Sequence, residues 1–541
     1  MGRSSRSRRV SSGRLASAIG KHSSLVVLLA VLVAWEVLGR ADVMGAGALP
    51  PPSRILAKLF SDRSVYPINL EATLREALVG FVIGNAVAIA LALLFVEAPI
   101  FESALTGVII ALFSMPIIAA APVLATAFSI DAAKVALASI AVFFPTLINT
   151  IVGLRSVERT LVDTILAMGG TRWTVFRKVS LRAALPGLMV GLRIAAPAAL
   201  LGAILGEFLG GDKGLGVFMM NSMAQFETAR TWAAGLVSTA IAGLGFGLFA
   251  LLGRRFAAQN VSPTVGLGGR YGSRSSASGF ATRAVRAVAK TILGLGVTVA
   301  LWYAFILAFR LSRVVAKDPT DIARFFFSGT RAAANRALII GALRETLPLA
   351  GVGLLGGLGA ACLGALLFVL RPNVEKTVMP FALTLQSVPL AAMAPLLVIL
   401  LGRGALSTIV ISVFVTFFPS LVTVTQGLRS APPGAIELLA VYNASDWTTL
   451  RKVQVPNAIP YVFAAARLSA PRALLGVMIA EWLATGKGLG YLLVNARFLL
   501  QFDVVWATAV VATAFALVAY ASMALLENAS MRKFAPHLVV G

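Results

Sequence analysis

The sequence predicts an all-α integral membrane protein made of two tandem six-helix units, about twelve spans in all. Three observations carry this. The chain is strongly apolar: of 541 residues, 58% are hydrophobic and 13% charged, with a mean hydropathy of +0.88. The apolar residues fall in long blocks, and about 20 residues rising roughly 1.5 Å each cross a hydrocarbon layer of about 30 Å. The second half of the chain also repeats the first in register.

The blocks read as spans at about 24–40, 74–96, 104–128, 133–153, 187–209 and 232–252, and again at about 291–310, 347–370, 377–401, 405–428, 459–483 and 504–527. The repeat is residue-specific. Trp173, Phe176-Arg177-Lys178-Val179, Leu185-Pro186, Arg193, Pro197, Glu207 and Lys213-Gly214-Leu215-Gly216 return 274 residues later as Trp447, Leu450-Arg451-Lys452-Val453, Ile459-Pro460, Arg467, Pro471, Glu481 and Lys487-Gly488-Leu489-Gly490. Trp232 and Trp506 keep the same spacing. Upstream the offset is 273: Thr73-Leu74 matches Thr346-Leu347, and Ser114-Met115-Pro116 matches Ser387-Val388-Pro389. One residue is therefore gained near the loop after the third span. Six spans per copy give both copies the same membrane orientation, a parallel repeat.

The formal net charge of +25 is concentrated at topological positions. Residues 1–22 hold six Arg or Lys and no acid, and residues 253–290 hold seven and no acid. Short basic segments beside apolar spans belong on the cytoplasmic side, against anionic lipid. No basic patch interleaved with aromatics is present, which argues against nucleic acid. The expected organisation is a basic cytoplasmic arm (1–23), a first unit (24–252), a basic Gly/Ser-rich cytoplasmic linker (253–290) and a second unit (291–541), with N-terminus, linker and C-terminus all cytoplasmic in a bacterial plasma membrane. Arg3, Arg6, Arg8, Arg9 and Arg14 before Leu25–Leu38, with Ala46-Gly47-Ala48 beyond, imitate a secretory signal; the many spans that follow favour an uncleaved first span. One segment fits poorly. Residues 310–345 carry seven basic residues on the side predicted to be external, so either they lie along the interface as an amphipathic element or the span count is off by one.

A single cysteine, Cys362, rules out a disulfide framework and a Cys-rich metal site, and the two histidines, His22 and His537, lie near the termini. No metal or cofactor site is expected. The Gly-Lys pairs at Lys213 and Lys487 lack the glycine spacing and the Ser/Thr of a phosphate-cradling loop, so ATP and Mg²⁺, if used, belong to another chain.

The informative loops lie between the fourth and fifth spans, at 154–186 and 429–460. The first reads Asp163-Thr164-Ile165, Gly169, Arg172-Trp173, Phe176-Arg177, Leu185-Pro186; the second reads Glu437-Leu438-Leu439, Asn443, Asp446-Trp447, Arg451, Val455-Pro456, Ile459-Pro460. This resembles the EAA loop of binding-protein-dependent ABC importer permeases, in the nitrate/sulfonate/taurine-type branch. Ala184-Leu185-Pro186-Gly187, Gly191-Leu192-Arg193, Ala480-Glu481 and Gly488-Leu489-Gly490 extend the likeness over essentially the whole chain outside the arm and linker. The copies depart differently. The first has Asp for Glu, lacks both alanines and has Arg182 in place of the first proline; the second keeps Glu437 but has Asn443 for the glycine. Two explanations stand: contact with two non-identical surfaces, or drift.

The resemblance implies a helix, a bend and a second helix that dock in a groove of a cytoplasmic ATPase, two copies of it per chain, with an extracytoplasmic binding protein delivering a small solute. Sulfonate-, taurine- or nitrate-like anions and thiamine-precursor-like molecules are the solutes it suggests. A bend favours glycine, and asparagine also tolerates the left-handed region. On this reading Trp173, Phe176 and Trp447 supply anchor area, and Asp163 or Glu437 pairs with partner arginines. The bland reading of each Trp is an interfacial belt residue.

Ionisable groups inside spans cost several kcal/mol and point to function by default. Arg193, Glu207, Arg467, Arg472 and Glu481 are the candidates for the pathway, with Arg467 and Arg472 placed to attract an anion; snorkelling to the interface is the bland alternative. Glu36 reads as interfacial and Cys362 as core. The chain is expected to be a transport subunit without enzymatic activity of its own. The alternative is a twelve-span secondary transporter driven by an ion gradient, also a parallel duplication, but that class carries its signature loop between spans two and three. A membrane-embedded enzyme would need a His, Cys or carboxylate cluster that the sequence lacks.

Overall fold

Long apolar runs with neither water nor neighbours to satisfy their backbone must form helices, and helices are what the chain forms. The computed structural model describes residues 29–45, 47–157, 159–256, 280–386 and 388–534, and every regular element among them is helical. The first half comprises α1 (29–40), α2 (Pro52–Ser61), α3 (Tyr66–Glu97), α4 (Pro99–Ser114), α5 (Ile117–Ala127), α6 (Ile130–Leu154), α7 (Arg159–Ala167), α8 (Arg172–Leu209), α9 (Leu215–Ala224) and α10 (Thr228–Phe256). The second half repeats the series as α11 (Phe280–Ala308), α12 (Pro319–Phe327), α13 (Ala332–Leu370), α14 (Pro372–Gln386), α15 (Leu390–Leu401), α16 (Ala405–Arg429), α17 (Pro433–Val441), α18 (Asp446–Thr485), α19 (Gly488–Phe498) and α20 (Phe502–Phe534).

Among the described residues, eight helices are long and apolar enough to cross a bilayer alone, and the bent pair α4–α5 makes a ninth. The bend is 96°, at Met115-Pro116, where proline supplies no backbone N–H and forces the preceding turn open. The other three predicted spans correspond to α1, α11 and the α14–α15 pair, whose described apolar stretches are shorter. Ser387, matched above to Ser114, lies outside the described residues, as do residues 1–28 and 257–279 of the basic arm and linker. α10 and α11 run into the linker from either side.

The awkward segment 310–345 resolves into a twin of the first half. α12 and the start of α13 repeat α2 and the start of α3, so no span is added. Here the register is 267 rather than 273: Trp35 pairs with Trp302, Ala48 with Val315, Pro52 with Pro319 and the buried Ile55 with Ile322. The indole N–H of Trp232 donates to the Ala48 carbonyl at 3.1 Å, and that of Trp506 to the Val315 carbonyl at 3.0 Å. Trp35 and Trp302 lie beside these two indoles, each at 5.4 Å between ring centroids. The tryptophans thus staple α1 to α10 and α11 to α20. α12 is held by a capping box, Asp318 accepting from the Thr320 and Asp321 amides at 2.8 and 2.9 Å.

The halves interlock reciprocally. α5 packs on α18, α19 and α20, and α15 packs on α8, α9 and α10. One hydrophobic core runs across the junction, joining Ile204 and Phe208 of the first half to Ile479 and Leu483 of the second. Reciprocal contacts between equivalent elements define a pseudo-twofold axis between the halves.

Candidate functional site: paired elbows and the axis between the halves

At one end of the bundle, α6 and α16 pass through short helices into α8 and α18. The two elbows have the same geometry from different residues. After α7, Gly169 adopts φ +82°; after α17, Asn443 adopts φ +50°. Both lie in the left-handed region, which explains how asparagine stands in for glycine. Thr171 and Ser445 then cap the next helix, accepting from the Thr174 and Thr448 amides at 3.3 and 3.2 Å. A widened π turn follows in both, at Phe176–Ser180 and Leu450–Gln454.

The elbow tips are apolar and uncovered. Trp173 is 66% exposed and Trp447 59%, beside the still more exposed Met168, Val441 and Tyr442. Trp173 stacks on Phe176 at 5.4 Å, which fixes its ring; Leu450, the twin of Phe176, is buried instead. Asp163, Glu437, Arg172, Asp446, Arg177 and Arg451 are exposed, and Pro456 is half-buried at the root of α18. Among the described residues neither Asp163 nor Glu437 has an ion-pair partner. The root of each elbow is clamped by a repeated ion pair, Arg155–Glu102 at 2.6 Å and Arg429–Glu375. These pairs tie the ends of α6 and α16 to the starts of the broken spans α4 and α14.

The five ionisable candidates inside the spans divide into three settings. Arg193 and Arg467 join α8 to α10 and α18 to α20 within their own halves. Each guanidinium lies over an equivalent ring, Phe246 at 4.0 Å and Tyr520 at 5.5 Å. Arg467 also meets Glu527 at 3.0 Å, an ion pair without an aligned hydrogen bond; at the position equivalent to Glu527 the first half has Gly253.

Glu207 and Glu481 are almost wholly buried at the opposite end from the elbows. Each carboxylate holds the start of the following short helix. Glu207 accepts from the Thr73 hydroxyl and the Gly216 amide, both at 2.5 Å; Glu481 accepts from the Thr346 hydroxyl at 2.6 Å and the Gly490 amide at 2.8 Å. The threonines in turn accept from the Leu215 and Leu489 amides at 2.8 Å. A carboxylate at a helix N-terminus satisfies donors that the helix leaves open and complements its dipole. The Gly-Leu-Gly repeat follows from this packing: a Cβ on Gly214 or Gly488 would lie 2.2 Å from the Glu207 or Glu481 carboxyl carbon. The first half adds a buried ion pair beside its cap, Lys134–Glu76 at 2.9 Å, where the second half has Thr408 and Leu349.

Arg472 is the third setting. It lies on α18 as the helix packs against the other half, and among the described residues it has neither an ion pair nor a hydrogen bond.

The pattern of the family described as binding-protein-dependent transport system inner membrane component matches the chain twice, at residues 84–258 and 353–532. The chain belongs to this family. Similar proteins include a probable ABC transporter permease protein of Haemophilus influenzae, 32% identical over 172 residues, 32% of this chain and 70% of that one. The formylaminopyrimidine transport permease protein ThiX of Halalkalibacterium halodurans is 32% identical over 196 residues, 36% of this chain and 78% of its own. The taurine transport system permease protein TauC of Escherichia coli is 26% identical over 231 residues, 40% of this chain and 82% of its own. No solved structure matches. The protein is therefore the multi-pass inner-membrane permease subunit of an ABC importer, a transport component and not an enzyme, with two permease units in one chain. Membership implies an ATPase and a binding protein as partners in general terms.

Sequence reasoning passed over several residues of this permease. Glu102, Arg155, Glu375 and Arg429 fall on the same 273 and 274 offsets and could have been found by register alone. Glu76, Lys134 and Glu527 break the repeat, so only their contacts in space reveal them. Thr73 and Thr346 were matched in sequence, but nothing local shows that they face a carboxylate more than 130 residues away.

Proposed function

We propose that this permease forms the whole translocation pathway of its importer and that its two elbows dock on two copies of a cytoplasmic ATPase, which binds the ATP and Mg²⁺. The arm (1–23), the linker and the C-terminus then lie in the cytoplasm, between and around units 24–252 and 291–541, as the basic segments favour. An extracytoplasmic binding protein delivers a small solute at the opposite end. The names of similar proteins cite aliphatic sulfonates, taurine and formylaminopyrimidine, and the solute here is of that size and kind.

One observation carries the reading: each exposed tryptophan stands on a helix that runs on to the axis between the halves. From Trp173 to Phe208 the single helix α8 spans about 50 Å at 1.5 Å per residue. A displacement of the elbow by ATP-driven closure of the partner therefore reaches the axis through one continuous helix. Among the described residues Trp173 meets the Phe176 ring and Trp447 meets no ring, so most of each indole is left in water, and burial in a partner groove would account for that.

The test replaces both acidic elbow residues, Asp163→Lys with Glu437→Lys, in proteoliposomes holding the full complex. Both are exposed, so the permease should fold normally. Solute uptake should fall about tenfold or more while ATP hydrolysis continues, the loss of more than about 1.4 kcal/mol of coupling. Unchanged uptake would remove the docking assignment, and uptake by the permease alone under an ion gradient would replace the reading altogether.

A further inference from the structure

We propose that Arg472 is the charge-selecting contact of the translocation axis, lying beneath an aromatic closure formed by Phe208 and Trp482. The inference rests on the import reading above and narrows its solute to an anion.

Phe208 and Trp482 are equivalent by the 274-residue repeat, and their rings meet at 5.7 Å. Two points related by a twofold axis touch only when both lie beside that axis. The pair therefore marks where the axis leaves the bundle at the end away from the elbows, and two large rings there fill it. Following each helix back from the ring by one helical stripe gives Leu205, Leu201 and Ala198 on α8, and Ile479, Leu475 and Arg472 on α18. At 100° per residue these positions share an arc of roughly 80° with the ring. Leu205, Ile479 and Leu475 belong to the core that joins the halves, so the stripe faces the junction and not lipid. Ala198 and Arg472 lie about 15 Å below the rings.

Accessibility follows this stripe, with Leu201 and Leu468 partly uncovered along with Ala198 and Arg472. Pro197, Ala199 and Leu200 are buried, yet Ala198 between them is not; Pro471, Ala473 and Leu474 are buried, yet Arg472 is not. The twin residues Ala198 and Arg472 are thus both left partly uncovered on the stripe that faces the junction.

Charge completes the argument. Every other candidate charge within the spans is accounted for: Lys134 by Glu76, Arg467 by Glu527, Arg193 by the Phe246 ring, and Glu207 and Glu481 by their caps. Arg497, near the same end, donates to the Leu209 carbonyl across the junction at 2.7 Å. Arg472 has no such partner among the described residues. The first half folds with alanine there, so packing does not require the arginine. A guanidinium held in a membrane-spanning helix is costly unless a counter-charge or an aromatic face meets it, and no such ring or carboxylate meets Arg472 among the described residues. The counter-charge that fits a position facing the axis is the solute: a small anion with sulfonate- or carboxylate-like oxygens, which a guanidinium grips with two parallel hydrogen bonds.

The single cysteine allows a direct test. In a Cys362→Ser background, Ala198→Cys places a thiol at the first-half position equivalent to Arg472, and the full complex is reconstituted with its ATPase and binding protein. The thiol is challenged with an anionic sulfonatoethyl methanethiosulfonate and a cationic trimethylammonium-ethyl methanethiosulfonate, in the resting and ATP-trapped states. The anionic reagent should react about tenfold faster than the cationic one relative to their rates with a free thiol, as a charge within reach dictates. Arg472→Gln should abolish that preference and Arg472→Lys should keep it. Trp482→Ala with Phe208→Ala should raise both rates from the outside. A thiol unreactive toward both reagents in every state, or a preference unchanged by Arg472→Gln, overturns the proposal. ATP dependence of uptake, measured on the same vesicles, reports separately on the importer reading.

Discussion

Glu527→Ala should destabilise this permease by about 3–5 kcal/mol, the cost of leaving a buried charge without its partner. Arg467 is 7% exposed and Glu527 4%, and two of the three guanidinium nitrogens already lack hydrogen bonds. With the carboxylate gone, only the Tyr520 ring at 5.5 Å remains among the described residues, which offsets about 1 kcal/mol. The loss should appear as a large drop in the melting temperature of the detergent-solubilised protein. The first half shows that the ion pair as such is dispensable, because Arg193 manages with Phe246 at 4.0 Å and Gly253, being itself only half-buried. The double replacement Arg467→Leu with Glu527→Leu should therefore return to within about 1 kcal/mol of the parent, since removing both charges also removes their desolvation cost. A single Glu527→Ala change that leaves the melting temperature unmoved would mean that Arg467 reaches water by another route.

The second large effect is expected at Gly488→Ala, about 3 kcal/mol or more. The residue has φ +87°, where a side chain costs roughly 1–2 kcal/mol. Its Cβ would also fall 2.1 Å from the Glu481 Oε1 atom. That carboxylate cannot yield without releasing the Thr346 hydroxyl and the Gly490 amide, and each buried group left unmet costs a further 1–3 kcal/mol or so. Gly214→Ala should behave alike against Glu207. Gly486→Ala is the control: φ is +65° but nothing lies within 4 Å, so the cost should stay near 1 kcal/mol. Equal effects at Gly486 and Gly488 would show that backbone conformation alone, and not the carboxylate cap, requires glycine here.

Both predictions concern residues whose importance was half-visible in the sequence. Glu207, Glu481 and the two Gly-Leu-Gly segments stood out by register, but register gives no reason for them. The reason is a hydrogen-bond cluster closed by Thr73 and Thr346, which arrive from a different helix. Arg193, Arg467 and Arg472 looked alike as charges in one span and its twin. Their separation depends on helix azimuth: Arg467 and Arg472 differ by five residues, about 140° around α18, so Arg467 turns to α20 while Arg472, as we propose, turns to the axis. Azimuth relative to neighbours is set by packing and has no local signature.

The amino-acid sequence alone determined the membrane-spanning helical class, the twofold duplication, the elbows and their bends, because each rests on a local property: apolar length, residue register, or the backbone latitude of Gly169 and Asn443. Only the tertiary structure decided where the halves meet, that Phe208 and Trp482 share the axis, and which charges are already neutralised. Those facts arise from atoms brought together across more than a hundred residues of chain, and in a helical membrane protein the polar groups that choose one another do so through space, not along the sequence.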